Sequence, residues 1–187
     1  TYTEAAGLRF LAFDGVDDFL VSGANVPFTA TDEVTTVVAM RKLSDATINI
    51  VAELSASFIS NAGAFLVATP GAPLTATYLF SAFGTAQGLA ESPSIYAAPH
   101  SAITIGQAKI STDLCQVRIN GSAFTTTALD MGTGNFGSYL LYVGRRGGLL
   151  LPFGGNLYGM IMIGRVLTLP EVVANENYLK PKTGITF

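Results

Sequence analysis

Leu114-Cys115-Gln116-Val117-Arg118-Ile119-Asn120-Gly121-Ser122-Ala123-Phe124-Thr125-Thr126-Thr127 is the stretch that decides the fold. Cys115, Val117 and Ile119 alternate with Gln116 and Arg118, the period-two pattern of a strand with one buried face. Ala123 to Thr127 has strand composition as well. Between them stands Asn120-Gly121. A type I′ turn needs positive φ at both central positions, and Asn-Gly supplies it, so the spacing predicts a two-residue β-hairpin.

Outward from this hairpin the pattern stays short and period-two. Leu8 to Phe13 reads as a strand broken at Asp14-Gly15, with Asp18 to Ser22 as its partner. Glu33 to Lys42 is rich in Val and Thr, a strand composition. Thr47 to Leu54, Gly63 to Ala68 and Ala76 to Ala82 continue the series, punctuated by Pro70-Gly71-Ala72-Pro73. Residues 84–100 read as a loop and Ala102 to Ile110 as a strand. After the loop Met131 to Gly137 come a strand Tyr139 to Val143, a Gly-rich turn Gly144 to Gly148, and a long strand Phe153 to Arg165.

One segment reads as a helix. Thr168-Leu169-Pro170-Glu171 places Thr at the N-cap, Pro in the first turn and Glu at N3. That is a capping box with a compatible proline. The helix is expected to run to about Tyr178 and stop before Pro181. In the final strand, alternation puts Leu157, Gly159, Ile161 and Ile163 on one face and Tyr158, Met160 and Met162 on the other. Both faces are apolar, whereas a half-solvated strand alternates with polar residues. The outer face is therefore covered, by the C-terminal helix or by a neighbouring subunit. About a dozen short strands and one late helix predict an all-β, two-sheet antiparallel sandwich, as one domain over residues 1–187.

Composition excludes several functions. The 187 residues carry a net charge of −3 with ten basic residues, so no nucleic-acid partner is expected. One cysteine and one histidine rule out an internal disulfide and a Cys- or His-built zinc site. Charged residues make up 12%, against roughly 25% in soluble proteins generally, and mean hydropathy is +0.45. This apolar surplus points to burial in an assembly, a homo-oligomer. No run reaches the ~20 apolar residues of a spanning helix, so no membrane insertion is expected. Thr1-Tyr2-Thr3-Glu4 lacks the basic region and apolar core of a signal peptide.

Three stretches together resemble the concanavalin A-like, laminin-G-like jelly rolls. The first is Leu11-Ala12-Phe13-Asp14-Gly15-Val16-Asp17-Asp18-Phe19-Leu20, similar to that family's opening segment. The second is the Asn120-Gly121 hairpin. The third is Tyr142-Val143-Gly144, Phe153-Gly154-Gly155-Asn156-Leu157-Tyr158-Gly159 and Leu167-Thr168-Leu169-Pro170-Glu171. The closing segment, with its Gly-Arg-Arg turn, looks like domains of phage and prophage structural proteins. The resemblance implies a jelly roll with one short C-terminal helix in a virion particle. Its implied partners are other virion proteins and a host-surface glycan, and a fibre module would be a trimer.

Candidate sites follow from residue chemistry. Arg145 and Arg146 lie in the Gly-rich turn, where guanidinium forks could pair with an acidic sugar or carboxylate. Alternatively they are solvated or bridge to a neighbouring subunit. Tyr96, Asn135, Phe136 and Tyr139 lie in or beside expected loops and offer rings and an amide for a sugar. The absence of Trp weighs against that use. Asp14, Asp17 and Asp18 would suit calcium, but Asp before Gly also closes a tight turn through its own backbone; no other cofactor is expected. No Glu-x-Asp-x-x-Glu strand gives the paired carboxylates of a glycoside hydrolase. His100 lacks a Gly-x-Ser-x-Gly companion, and Cys115 reads as a buried thiol. The sequence thus predicts a non-enzymatic module that recognises glycan, as a tail-fibre or receptor-binding domain. The alternatives are a capsid-decoration or assembly protein with no ligand and, further off, a glycoside hydrolase.

Overall fold

The computed structural model describes residues 2–71 and 75–187. Ala72 and Pro73 of the expected punctuation lie outside the described residues. In chain order the strands are β1 (Tyr2–Ala5), β2 (Leu8–Asp14), β3 (Leu20–Val21), β4 (Val26–Pro27), β5 (Glu33–Lys42), β6 (Ile50–Leu54), β7 (Phe65–Ala68), β8 (Leu79–Phe83), β9 (Gln87–Glu91), β10 (His100–Lys109), β11 (Leu114–Ile119), β12 (Thr125–Thr127), β13 (Ser138–Tyr139), β14 (Leu141–Val143) and β15 (Gly154–Ile163). Helix α1 (Leu169–Thr183) follows. One antiparallel sheet has the order β1-β2-β15-β5-β10-β11-β12 and the other β3-β14-β6-β7-β8-β9, with β13-β4 a short separate ladder. The two sheets pack into a jelly-roll-like sandwich.

The main core fills the space between the sheets. Val34, Val38 and Met40 of β5 meet Phe65, Val67 and Phe80 of the facing sheet. The opposite face of β5 is buried too, because Leu167, Val172 and Leu179 lie across Val37, Ala39, Ile103 and Ile105. Thus α1 is the cover that the sequence left open. Its capping box forms: Glu171 Oε2 accepts the Thr168 N–H at 2.9 Å and the Thr168 O–H at 2.8 Å. Buried Glu176 takes two hydrogen bonds from Arg118 (2.9 and 3.1 Å) and one from the Gly121 N–H (3.1 Å), tying the helix to the Asn-Gly turn. That turn has φ of 48° at Asn120 and 74° at Gly121, the two positive values expected.

Four expectations are corrected. Asp18 to Ser22 does not pair with Leu8 to Phe13: β2 pairs with β1 and β15, and β3 pairs with β14 in the other sheet. Asp14-Gly15 is a crossing between sheets. Residues 84–100 contain a strand, β9, whose inward positions are Gly88 and Ala90, too small to show as hydrophobic alternation. The helix continues past Pro181 to a left-handed Gly184 at its C-cap. Proline removes one N–H there, while the Thr183 hydroxyl bonds the Lys180 carbonyl at 2.8 Å and holds the last turn. Finally, the faces of β15 slip at a β-bulge between Leu157 and Gly159. Leu157, Met160 and Met162 therefore share the inner core, and Tyr158, Ile161 and Ile163 lie under the helix. Among the described residues no helix is long and apolar enough to cross a membrane.

Candidate functional site

The outer face of the six-stranded sheet carries a groove. Its floor follows from register: Glu53, Leu66, Ser81 and Leu89 stand opposite one another across β6, β7, β8 and β9, with Ala68 and Leu79 in the next row. Two segments fold back over this floor. One is the 3₁₀ turn Phe58–Ser60. The other is the loop after β14, whose Leu151 carbonyl accepts the Ile50 N–H at 2.9 Å. The space between them is a cavity of about 170 Å³ that Arg146, Gln87 and Ser81 help to line. This is below the ~300–1,000 Å³ of drug-sized pockets, so it holds one ring rather than a whole oligosaccharide.

Glu53 is the charged residue of the floor and is completely buried. A buried carboxylate needs a partner. Arg146 Nε donates to Glu53 Oε2 at 2.8 Å, and the Phe58 N–H donates to Glu53 Oε1 at 2.5 Å. Burial pushes the Glu53 carboxyl above its ordinary value, against the pull of Arg146. The Arg146 side chain is 18% exposed, and its two terminal nitrogens make no hydrogen bond among the described residues. Gln87 Nε2 donates to Ser81 Oγ at 3.0 Å, and that hydroxyl donates to the Gly88 carbonyl at 2.6 Å. The Gln87 carbonyl oxygen is left as an acceptor. The groove thus offers fixed donors and one amide acceptor on an apolar floor.

The other candidate residues do not gather there. Arg145 holds the turn, its Nη2 bonding the Leu149 carbonyl at 2.8 Å. Phe136 is no rim residue: it is 1% exposed and packs edge-on against Phe65, anchoring its loop in the core. Tyr139 is half-buried and its hydroxyl bonds the Ala62 carbonyl at 2.8 Å. Asn135 is exposed, with its amide on the Thr29 carbonyl at 2.8 Å. Tyr96 packs on His100 (4.9 Å between centroids) and Tyr78 (5.6 Å). Asn135 and Phe136 sit at the start of β5 and Tyr96 near its end. Ten strand residues, about 33 Å at 3.3 Å each, separate them.

Two other constellations were open from sequence. Asp14 Oδ1 accepts the N–H of Val16 (2.7 Å) and Asp17 (3.3 Å), and Asp18 Oδ2 accepts that of Asp14 (3.1 Å). The Val16 bond is the main reason the Asp14 carboxyl lies below the ordinary range. These carboxylates serve the turn, and among the described residues no three His, Cys, Asp or Glu side chains are grouped to hold a metal. Glu53 and Glu91 share the outer face, but three strand spacings part them, about 14 Å before any offset along the strands. Glycosidase pairs stand ~5–9.5 Å apart.

No family model matches the sequence, and no curated protein matches it. Solved structures do share the fold. A native heptameric SAP-like pentraxin from Limulus polyphemus is 11% identical, with a TM-score of 0.65 over 86% of this chain and 78% of that one. The CBM40 of a Ruminococcus gnavus IT-sialidase, bound to α2,3-sialyllactose, is 16% identical, with a TM-score of 0.61 over 88% of this chain and 97% of that one. A leech intramolecular trans-sialidase is 14% identical, with a TM-score of 0.56 over 90% of this chain but 28% of that one. At such identities the likeness is one of fold, a jelly-roll sandwich related to the concanavalin A-like kind.

Proposed function

We propose that this chain is a non-enzymatic glycan-recognition domain of a virion structural protein, taking an acidic sugar in the groove beside Arg146. One observation carries the reading. A guanidinium held rigid through Nε by a buried carboxylate keeps its terminal nitrogens free at a concave site. A fork fixed in this way pairs with a planar carboxylate with little loss of side-chain entropy. Gln87 is placed to accept a sugar hydroxyl. The sialyllactose of the CBM40 neighbour supports this ligand class. The virion setting rests on the closing Gly-Arg-Arg segment and the apolar composition. Because Glu53 already neutralises Arg146, the expected affinity is weak, in the millimolar to high-micromolar range.

Calorimetry with 3′-sialyllactose against lactose tests the reading. Binding of the acidic sugar alone, weakened about tenfold or more in Arg146→Lys, is the expected result. Lys keeps the charge on Glu53 but loses the fork. Equal binding of both sugars, or none at millimolar concentration, overturns it. A decoration or assembly role with no ligand has one observation in its favour: Ile59, Leu149 and Leu150, near the groove, are 68%, 74% and 62% exposed. Light scattering discriminates, since a stable trimer fits a fibre module and a monomer that joins only a preformed particle fits decoration.

A further inference from the structure

A second cavity, of about 280 Å³, opens beside the Asp14-Gly15 crossing, between β2, the loop after β5 and the start of β15. It is separated from the groove by the strand entry and loop that the Ile50–Leu151 hydrogen bond joins. Asn49 lines it. This residue is 4% exposed, its side-chain oxygen accepts the Thr47 hydroxyl at 3.2 Å, and its amide nitrogen has no partner among the described residues. A buried donor left unmade is costly, so it calls for a bound group. Across the same cavity, Asp14 commits Oδ1 to its turn, and Oδ2 makes no hydrogen bond among the described residues. Ser44 and Thr47, both exposed, stand at the mouth. Gly15 and Gly154 approach closely enough that a Cβ on Gly15 would lie 3.2 Å from the Gly154 Cα, which leaves the floor bare backbone.

From this arrangement we infer that the cavity is a carbohydrate subsite for a neutral pyranose, read through two neighbouring hydroxyls. An ionised carboxylate only accepts and an amide nitrogen only donates. The ligand must therefore present a donor and an acceptor side by side, which a vicinal diol does. Asp14 repels an anionic sugar, so this subsite and the Arg146 groove select opposite chemistries and stand or fall separately. Leu43, 51% exposed, and Pro152 supply apolar surface for the ring's C–H face.

Nitrogen-15-labelled protein titrated with the methyl glycosides of galactose, glucose and mannose provides the test. The side-chain amide pair of Asn49 is expected to shift with at least one of them. Asp14→Asn is expected to weaken that binding about tenfold or more, while Gln87→Ala leaves it unchanged. Asp14→Asn keeps an oxygen for the Val16 and Asp17 N–H groups, so the turn survives, and the backbone spectrum verifies this. The inference is overturned if the Asn49 pair is unmoved by all three sugars at tens of millimolar. It is also overturned if glycerol produces the same shift, or if Asp14→Asn binds with unchanged affinity.

Discussion

Arg146→Met separates the two roles given to Arg146, structural partner and ligand group. The substitution keeps most of the side-chain volume and leaves Glu53, fully buried, with the Phe58 N–H as its remaining hydrogen-bond donor. Breaking a buried ion pair on one side costs about 3–5 kcal/mol, because an uncompensated charge stays in the interior. For a domain of this size each kcal/mol lowers Tm by about 2–4 °C, so a fall of about 6–20 °C is expected. The pH dependence identifies the cause. Burial already holds the folded Glu53 carboxyl above its unfolded value near 4.5, and loss of Arg146 raises it further. Between the two values the folded state binds more protons than the unfolded state, so stability falls as pH rises. The deficit of Arg146→Met should therefore be largest near pH 7 and shrink as pH falls toward 4.5. Urea titrations at pH 7 and 5 measure it, and Glu53→Gln/Arg146→Met should recover most of the loss at pH 7. A deficit below about 1 kcal/mol, or one that grows on acidification, would refute the buried-pair account.

Further outcomes are expected at other positions. Gly106→Ala should cost about 1–3 kcal/mol by overpacking, since an added Cβ would lie 2.1 Å from the Phe80 ring; denaturation should show Phe80→Leu partly restoring it. Leu179→Ala should cost about 2–5 kcal/mol by uncovering the outer face of β5 and β10, with faster hydrogen exchange confined to α1 and those strands. Burial, and secondarily Lys42, holds the folded His100 imidazole below its ordinary value of 6.5. The unfolded chain then takes up the proton first, so stability should fall as pH drops below about 6.5, and His100→Gln should flatten that slope in urea titrations at pH 7.5 and 5.5. Burial pushes the Cys115 thiol up to about 12, so thiol reagents should label it at the rate of global unfolding.

What could be read from the sequence was what local chemistry decides. The Asn120-Gly121 turn, the Thr168–Glu171 cap and the Val- and Thr-rich β5 each carry their instruction within a few residues. Features set by distant partners were hidden. The Asp14-Gly15 turn has the same local chemistry whether it closes a hairpin or crosses between sheets, and β15 and β14 decide which. One extra residue at the Leu157–Gly159 bulge reverses the face of everything before it, which strict alternation cannot show.

The site was half visible for the same reason. Gly144-Arg145-Arg146 announced itself, but Glu53, which fixes Arg146, lies 93 residues away. Its one signal was a lone carboxylate in the otherwise apolar Ile50–Leu54, a position that demands a cation once buried. The search for a rim also assumed that loops are polar and wet. In this fold the segments that build the groove lie on a sheet face, so they must be apolar themselves: Phe58 and Leu151 help to line it. Aromatics in loops were read as free rings, yet Phe136 is the anchor of its loop. Polar groups at a site formed in this way are few, and each must be held by a partner beneath it. A buried charge or amide with an unfilled valence, as at Arg146 and Asn49, is therefore a better guide to recognition on this sandwich than a cluster of exposed rings.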